Sequence, residues 1–284
     1  MQDKIILITG ATSGIGKATA IQLAKTGADI ILIARNEQKA LATKDEIISE
    51  CSHNNVDVFI ADLSSLQDVR KVAEQINATY DRIDILINNA GLILGNKRKE
   101  SIDGNELTLA TNHLGPFLLT ALLFDLIKNS DDARIINLSS DVYNIAKPDF
   151  ENIQLKQSYS SIKAYANSKL YNLLFTKELD MRMKEHRFDI STNAVHPGVV
   201  STGFGQNSDG FAGFLFKAGK YFFTTPEKGA QTTIYLATSP EGGKISGEYF
   251  KNKKITKTKD KIITATNAKK LWEITESLTG TKFL

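Results

Sequence analysis

Short runs of β-branched and aliphatic residues alternate along this chain with longer stretches in helical spacing. Lys4-Ile5-Ile6-Leu7-Ile8-Thr9 is a near-continuous apolar run, as a strand buried on both faces requires. A glycine-rich turn follows. Ile15 to Lys25 then places Ile15, Ala18, Ile21 and Leu23 at helical spacing, with Gly27 just beyond, where a left-handed residue is wanted. Asp29 to Ala34 predicts the second strand, Glu37 to Glu50 the second helix and Val56 to Ala61 the third strand. Ser65 to Thr79 reads as a helix with Ser64 or Ser65 as its N-cap. Ile83 to Asn88 is the fourth strand, Asn105 to Lys128 a long helix carrying Pro116, and Arg134 to Leu138 the fifth strand. A polar insertion over Val142 to Ser158 precedes a long helix from Ser161 to His186. Ile190 to Val195 and Gly247 to Phe250 complete the set of strands.

Strands alternating with helices imply right-handed crossovers. The expected architecture is α/β: a doubly wound, mostly parallel seven-stranded sheet with helices on both faces. Ligands in such sheets bind beyond the carboxyl ends of the strands. The chain of 284 residues carries no repeat and no linker-like stretch, so 1–284 reads as a single domain. Hydrophobic residues at 42% and charged residues at 24% are ordinary globular values. A formal net charge of +3 is too small to make the whole protein a nucleic-acid binder. The single cysteine, Cys51, excludes an internal disulfide framework and suits a reducing compartment. No basic, apolar leader follows Met1 and no membrane span is expected, which makes the cytoplasm the expected location.

Thr9-Gly10-Ala11-Thr12-Ser13-Gly14-Ile15-Gly16 ends the first strand and opens the first helix. Glycines let the backbone approach a pyrophosphate closely, and the helix N-terminus offers that anion free N–H groups. Gly10, Ser13, Gly14, Ile15 and Gly16 are therefore candidate cofactor contacts. An acid at the end of the second strand would bind a ribose 2′-hydroxyl, whereas an arginine there accommodates a 2′-phosphate. This chain reads Ile33-Ala34-Arg35-Asn36, which favours NADP(H) over NAD(H) while leaving NAD(H) admissible. Lys17 is either a helper or a surface lysine. Asp62-Leu63 ends the third strand, where an acceptor meets an adenine amino group. Asn88-Asn89-Ala90-Gly91 ends the fourth, where small residues let the backbone pass close to the cofactor and asparagines tie neighbouring strands.

Tyr165-Ala166-Asn167-Ser168-Lys169 lies early in the long helix, and its Tyr and Lys, four apart, share one helix face. A carbonyl receiving hydride also needs a proton, and an alcohol losing hydride must give one up. A free tyrosine titrates near 10, so tyrosinate at neutral pH costs about 4 kcal/mol. A neighbouring ammonium narrows that gap. Asn137-Leu138-Ser139-Ser140 ends the fifth strand and supplies a hydroxyl for the substrate oxygen. Asn112, in an apolar helical stretch, either holds a water that relays protons to Lys169 or braces the helix. In Val195-His196-Pro197-Gly198-Val199-Val200-Ser201-Thr202, Pro197-Gly198 is a backbone turn that can cover one face of a nicotinamide, and Thr202 can bond its carboxamide.

Together, Thr9-Gly10 through Gly14-Ile15-Gly16, Asn88-Asn89-Ala90-Gly91, Asn112, Ser140, Tyr165, Lys169 and Pro197-Gly198 resemble the short-chain dehydrogenase/reductase family. The likeness is greatest to its retinol-dehydrogenase-like and WW-domain oxidoreductase-like branch. Thr111-Asn112-His113-Leu114-Gly115, the 25-residue gap from Ser140 to Tyr165, Val195-His196-Pro197-Gly198 and Thr225-Pro226-Glu227-Lys228-Gly229-Ala230-Gln231 carry it, with Ser246-Gly247-Glu248-Tyr249-Phe250 and Leu271-Trp272-Glu273. The resemblance implies a Rossmann fold and an NADP(H)-dependent oxidoreductase. It makes Tyr165 the acid/base, Lys169 its pKa partner and ribose ligand, Ser140 the substrate-orienting hydroxyl and Asn112 the holder of a relay water. Arg35 matches the NADP-preferring pattern. Two departures stand out: membrane-bound relatives begin with an anchor that is not expected here, and Pro116 follows Gly115.

His53, His113, His186 and His196 have no ligand spacing, so no metal is expected. Gly203 to Phe223 carries Phe204, Phe211, Phe214, Phe216, Tyr221, Phe222 and Phe223 and is read as a lid at 203–223 over a lipophilic alcohol, aldehyde, ketone or retinoid-like substrate. Core packing, an oligomer contact such as a homodimer's, and a membrane-surface patch are its alternatives. The lysine-rich run Lys251–Lys261 is read as a solvated edge or loop, with no nucleic-acid partner expected. The competing function is a catalytically silent dinucleotide-sensing scaffold.

Overall fold

Successive residues of the first strand divide between two cores. In β1 (Ile5–Thr9), Leu7 joins one buried cluster, and Ile6 and Ile8 the other. In β2 (Asp29–Ala34), Ile31 and Ile33 go with Leu7, and Ile30 and Leu32 with Ile6. Period-two alternation with both sets apolar is the signature of a sheet covered on both faces. The computed structural model describes residues 1–51, 53–198, 225–259 and 261–284. Thr202 and the expected lid at 203–223 lie outside them.

The remaining strands are β3 (Val56–Ile60), β4 (Ile85–Asn88), β5 (Ala133–Leu138), β6 (Ile190–His196), β7 (Tyr249–Lys251) and β8 (Lys254–Ile255). Their order is β3-β2-β1-β4-β5-β6-β7-β8. Every pair from β3 through β7 is parallel, and β8 returns antiparallel on β7. The sheet is thus the expected doubly wound one with a single addition. The eighth strand is two exposed residues inside the lysine-rich run, too short and too polar to leave a strand pattern in the sequence. Strand order reverses direction at β1 and β4, which opens a crevice at their carboxyl ends.

Helices cover both faces. Ala20, Ile21 and Leu23 of α1 (Gly14–Ala24), Ile47 of α2 (Glu37–Glu50) and Leu236 of the helix Pro226–Thr238 fill one cluster. The other takes Val69, Val72, Ala73 and Ile76 of α3 (Leu66–Thr79), Phe117, Phe175 from the helix Ser161–Glu185, and Trp272 from the helix Ala265–Thr279. Ser65 caps α3, accepting a hydrogen bond from the Asp68 N–H at 3.2 Å. Among the described residues no helix is long and apolar enough to cross a membrane.

The expected helix over Asn105–Lys128 is divided. It runs as Leu107–Leu109, a π-helical turn Ala110–Leu114, then Gly115–Leu122 and Phe124–Lys128. Pro116 explains the turn: it has no N–H to donate to the Asn112 carbonyl four residues back. The ladder widens instead, and the Gly115 N–H reaches the Ala110 carbonyl. Asn112, His113 and Leu114 are driven into the interior, at most 1% exposed. Gly115 also lies so close to the end of β3 that a methyl group there would overlap the Leu63 carbonyl oxygen.

Two predictions concern this turn. Gly115→Ala should lower unfolding free energy by about 1–3 kcal/mol, read from urea denaturation; an unchanged midpoint would show that the contact yields freely. His113, bonded through Nε2 to the Thr275 hydroxyl at 2.9 Å, is held neutral by burial, which lowers its pKa from 6.5 to about 4. The unfolded chain therefore takes up this proton at a higher pH than the folded one. Its stability contribution is whole above about pH 6.5 and is lost as pH falls towards 4. Thermal melts across that window should show the loss, and His113→Gln should remove that part of the slope.

Candidate active site

The glycine-rich turn is locked to the end of β4 by side-chain hydrogen bonds. The Thr9 hydroxyl oxygen accepts from the Asn89 N–H at 3.1 Å and the Ala90 N–H at 3.0 Å. The Asn89 amide donates to the carbonyls of Thr9 at 2.8 Å and Gly10 at 3.0 Å. Gly10 takes φ +67°, and a Cβ on it would stand 2.8 Å from the Ala90 Cα, so only glycine fits. At Gly16 a Cβ would collide with the Asn89 amide and the Gly10 carbonyl. Ser13, the N-cap of α1, makes no side-chain bond to the first turn. The N–H groups there keep their capacity for an anion.

At the ends of β2 and β3, Arg35 lies 75% exposed with its guanidinium 3.9 Å from the Asp62 carboxylate. Asp62 Oδ1 accepts from both the N–H and the hydroxyl of Ser64, at 2.9 and 2.7 Å. Beside the glycine-rich turn, Thr12, Ser13, Lys17, Lys39, Thr43 and Glu46 line a groove of about 300 Å³. Lys17 pairs with Glu46 in its wall. Lys39 carries no sequence motif of its own; only the groove reveals it.

Deeper in the crevice, strand alternation separates the two serines that end β5. Ser139 turns inward, 2% exposed, and donates to the Lys169 carbonyl at 2.7 Å. Ser140 is half-buried, and its hydroxyl oxygen accepts from the Val142 N–H at 3.3 Å. Lys169 is 4% exposed. Its ammonium donates to the Leu138 carbonyl at 3.1 Å and lies 5.6 Å from the centroid of the Tyr165 ring. The Asn172 amide donates to the same carbonyl at 2.9 Å. A Cβ on Gly91 would be 3.4 Å from both the Lys169 Nζ and the Asn112 Oδ1, so those two groups flank one small residue. Burial pushes the Tyr165 hydroxyl well above its ordinary pKa and lowers Lys169 to about 8.

Asn112 is braced on three sides. Its Oδ1 accepts from the Leu92 N–H at 2.8 Å, and its amide donates to the Leu92 carbonyl and the Ser168 hydroxyl, each at 3.0 Å. Ser168 in turn donates to the Tyr165 carbonyl at 2.8 Å. The bracing reading of Asn112 therefore describes its side chain, while Pro116 leaves its main-chain carbonyl without the ordinary helical donor. Ser168 and Asn172 were invisible as site residues in the sequence, although their spacing from Tyr165 and Lys169 puts them on neighbouring rows of one helix. Pro197 and Gly198 follow β6 directly, half-buried, with Gly198 at φ +84°. Among the described residues no group of His, Cys, Asp and Glu is placed to hold a metal.

The family model for short chain dehydrogenase matches residues 4–210. The chain belongs to the short-chain dehydrogenase family. It is similar to mouse retinol dehydrogenase 14, 38% identical over 293 residues that cover 99% of this chain and 87% of that protein. Human retinol dehydrogenase 13 is 38% identical, covering 98% and 85%. Among solved structures, an uncharacterized protein from Mycobacterium paratuberculosis matches 100% of the chain and 96% of its own, with a TM-score of 0.81 at 29% identity. A short chain dehydrogenase from Escherichia coli CFT073 complexed with NADPH matches 88% and 96%, with a TM-score of 0.70 at 25% identity. This short-chain dehydrogenase is thus an oxidoreductase of the retinol-dehydrogenase-like branch that interconverts an alcohol and a carbonyl with a nicotinamide dinucleotide.

The close approach at the first turn yields a prediction. Gly16→Ala should weaken dinucleotide binding by roughly tenfold or more, because the added methyl group displaces the turn against Asn89 and Gly10. Fluorescence titration with the reduced dinucleotides measures this, and unchanged dissociation constants would show that the turn tolerates the methyl group.

Proposed function

We propose that this short-chain dehydrogenase is NADP(H)-preferring and acts on a lipophilic alcohol, aldehyde or ketone, with Tyr165 as proton donor and acceptor. The observation that carries the reading is the buried Lys169 ammonium, fixed by the Leu138 carbonyl beside the Tyr165 ring and flanked by Gly91 and Asn112. The glycines fit a dinucleotide: Gly10 and Gly16 leave no room for a side chain, and the first turn of α1 lacks a cap from Ser13. Gly10, Ser13, Gly14, Ile15 and Gly16 would hold the pyrophosphate, and Asn89, Ala90 and Gly91 would border the ribose beyond β4. Asp62 and Leu63 would meet the adenine, and Pro197, Gly198 and Thr202 the nicotinamide. When bound, the nicotinamide supplies or accepts the hydride.

The protein's own residues manage the proton. Tyr165, kept protonated by burial, gives its hydroxyl proton to the oxygen of a carbonyl under reduction and takes one back in the reverse direction. The charge on Lys169 stabilises the phenolate left behind, so the hydroxyl gives up its proton more readily than burial alone would allow. Ser140, on the crevice side of β5, hydrogen-bonds the substrate oxygen, and the main-chain carbonyl of Asn112 is the acceptor for a water leading to Lys169. Arg35, exposed at the end of β2, binds a 2′-phosphate, with Lys39 on the groove wall as a second cation. The relatives' name, retinol dehydrogenase, agrees with a lipophilic substrate, as does the aromatic-rich composition of 203–223. We read 1–284 as one dinucleotide-binding domain.

Tyr165→Phe should lower kcat for aldehyde or ketone reduction by roughly 10²–10⁴-fold while NADPH still binds. Full activity in that variant would remove the assigned proton donor, and no activity in the native chain across a broad carbonyl panel would favour a silent scaffold. Arg35→Ala should weaken NADPH by roughly tenfold or more with little effect on NADH, with Lys39→Ala acting in the same sense. Equal losses for the two cofactors would refute the 2′-phosphate assignment.

A further inference from the structure

Asp141 follows Ser140 directly and reaches two other strands at once. Its main-chain N–H donates to His196 Nδ1 at 3.1 Å. Its carboxylate accepts from the Tyr249 hydroxyl at 2.8 Å and pairs with the Lys251 ammonium, and Oδ2 stands 3.6 Å from His196 Nε2. His196 is the last residue of β6, 6% exposed, and Pro197-Gly198 is attached to it. Tyr249 and Lys251 belong to β7. The turn carrying Ser140 and the turn carrying Pro197-Gly198 are therefore joined through one imidazole ring, with β7 as the backing.

We propose that Asp141 and His196 are positioning residues: through each other they fix the Ser140 hydroxyl relative to the Pro197-Gly198 turn. The proposal rests on the reading of Ser140 as the group that orients substrate. Because His196 accepts a main-chain hydrogen bond at Nδ1, the proton of the neutral ring sits on Nε2, facing the Asp141 carboxylate. A second proton at Nδ1 would set two donors against each other, break the bond to the Asp141 N–H and free the Ser140 turn. The groups facing the ring act in opposite senses. Burial and the Lys251 ammonium disfavour the charged ring, and the Asp141 carboxylate favours it. The Tyr249 hydroxyl holds the other carboxylate oxygen, and the Tyr143 ring packs on Tyr249 at 5.5 Å. The net effect lowers the His196 pKa below its ordinary value. The join holds at neutral pH and opens on the acid side.

The test compares native protein, His196→Asn, His196→Leu, Asp141→Asn and Ser140→Ala by kcat and KM for one carbonyl substrate, and by the dissociation constant of NADPH. Asparagine keeps an acceptor near the position of Nδ1 and does not titrate; leucine keeps neither. His196→Leu should lower kcat by about tenfold or more with NADPH affinity near native, and His196→Asn should recover most of that loss. The acid fall in kcat of the native enzyme should be smaller in His196→Asn. Native kcat in His196→Leu, or equal impairment in the leucine and asparagine variants, would overturn the proposal. If His196→Leu does not fold, the acid limb decides, and an identical limb in native protein and His196→Asn overturns it. Native kcat in Ser140→Ala would remove the reading of Ser140 itself, whereas an inactive Ser140→Ala beside a fully active His196→Leu removes only the join.

Discussion

One carbonyl oxygen, that of Leu138, accepts hydrogen bonds from both the Lys169 ammonium and the Asn172 amide. Burying an ammonium costs several kcal/mol unless it is compensated, and here the carbonyl at the end of β5 provides the compensation. The strand end and the long helix are thereby fixed against each other at the place where a charge is needed. Ser139 adds a second tie between the same elements by donating to the Lys169 carbonyl. The rest of the crevice is arranged around this anchor. Gly91 lies beside both the ammonium and the Asn112 amide oxygen, and Tyr165 lies one helical turn away.

The sheet makes this arrangement economical. Strand order reverses between β1 and β4, so the ends of both strands open on one crevice. Buried asparagines set the spacing there. The Asn88 amide donates to Asn137 Oδ1 at 2.9 Å and to the Thr120 hydroxyl at 3.1 Å, and the Asn137 amide donates to the Thr176 hydroxyl at 3.0 Å. These bonds tie β4, β5 and two flanking helices into one polar seam beneath the crevice. Asn89 continues the seam to the glycine-rich turn. Asn88 Oδ1 is left without a partner, but the bonds that are made rigidify the core beneath the site residues.

The parts legible in the sequence are those whose cause is local. A strand buried on both faces has no polar alternation, and the run around Ile6 to Ile8 has none. Glycine at positions 10 and 16 is demanded by backbone contact, and sequence spacing alone marks it. The less legible parts depend on pairs distant along the chain or on small changes of period. The π-helical turn at Ala110–Leu114 repeats hydrophobic residues much as an α-helix does, and only Pro116 hints at the break. The two residues of β8 lie in a lysine-rich edge where no pattern distinguishes strand from loop. Asp141 meets His196 55 positions away and Lys251 110 positions away, and no local motif announces either contact.

Lys169 is held out of water yet close enough to the Leu138 carbonyl to keep its charge near neutral pH. NMR titration of the ¹³Cε signals of lysine-labelled protein, with the Lys169 resonance assigned through Lys169→Arg, measures this directly. An apparent pKa of about 8 is expected. Titration at the ordinary value of free lysine, about 10.4, would place the ammonium in solvent and contradict it.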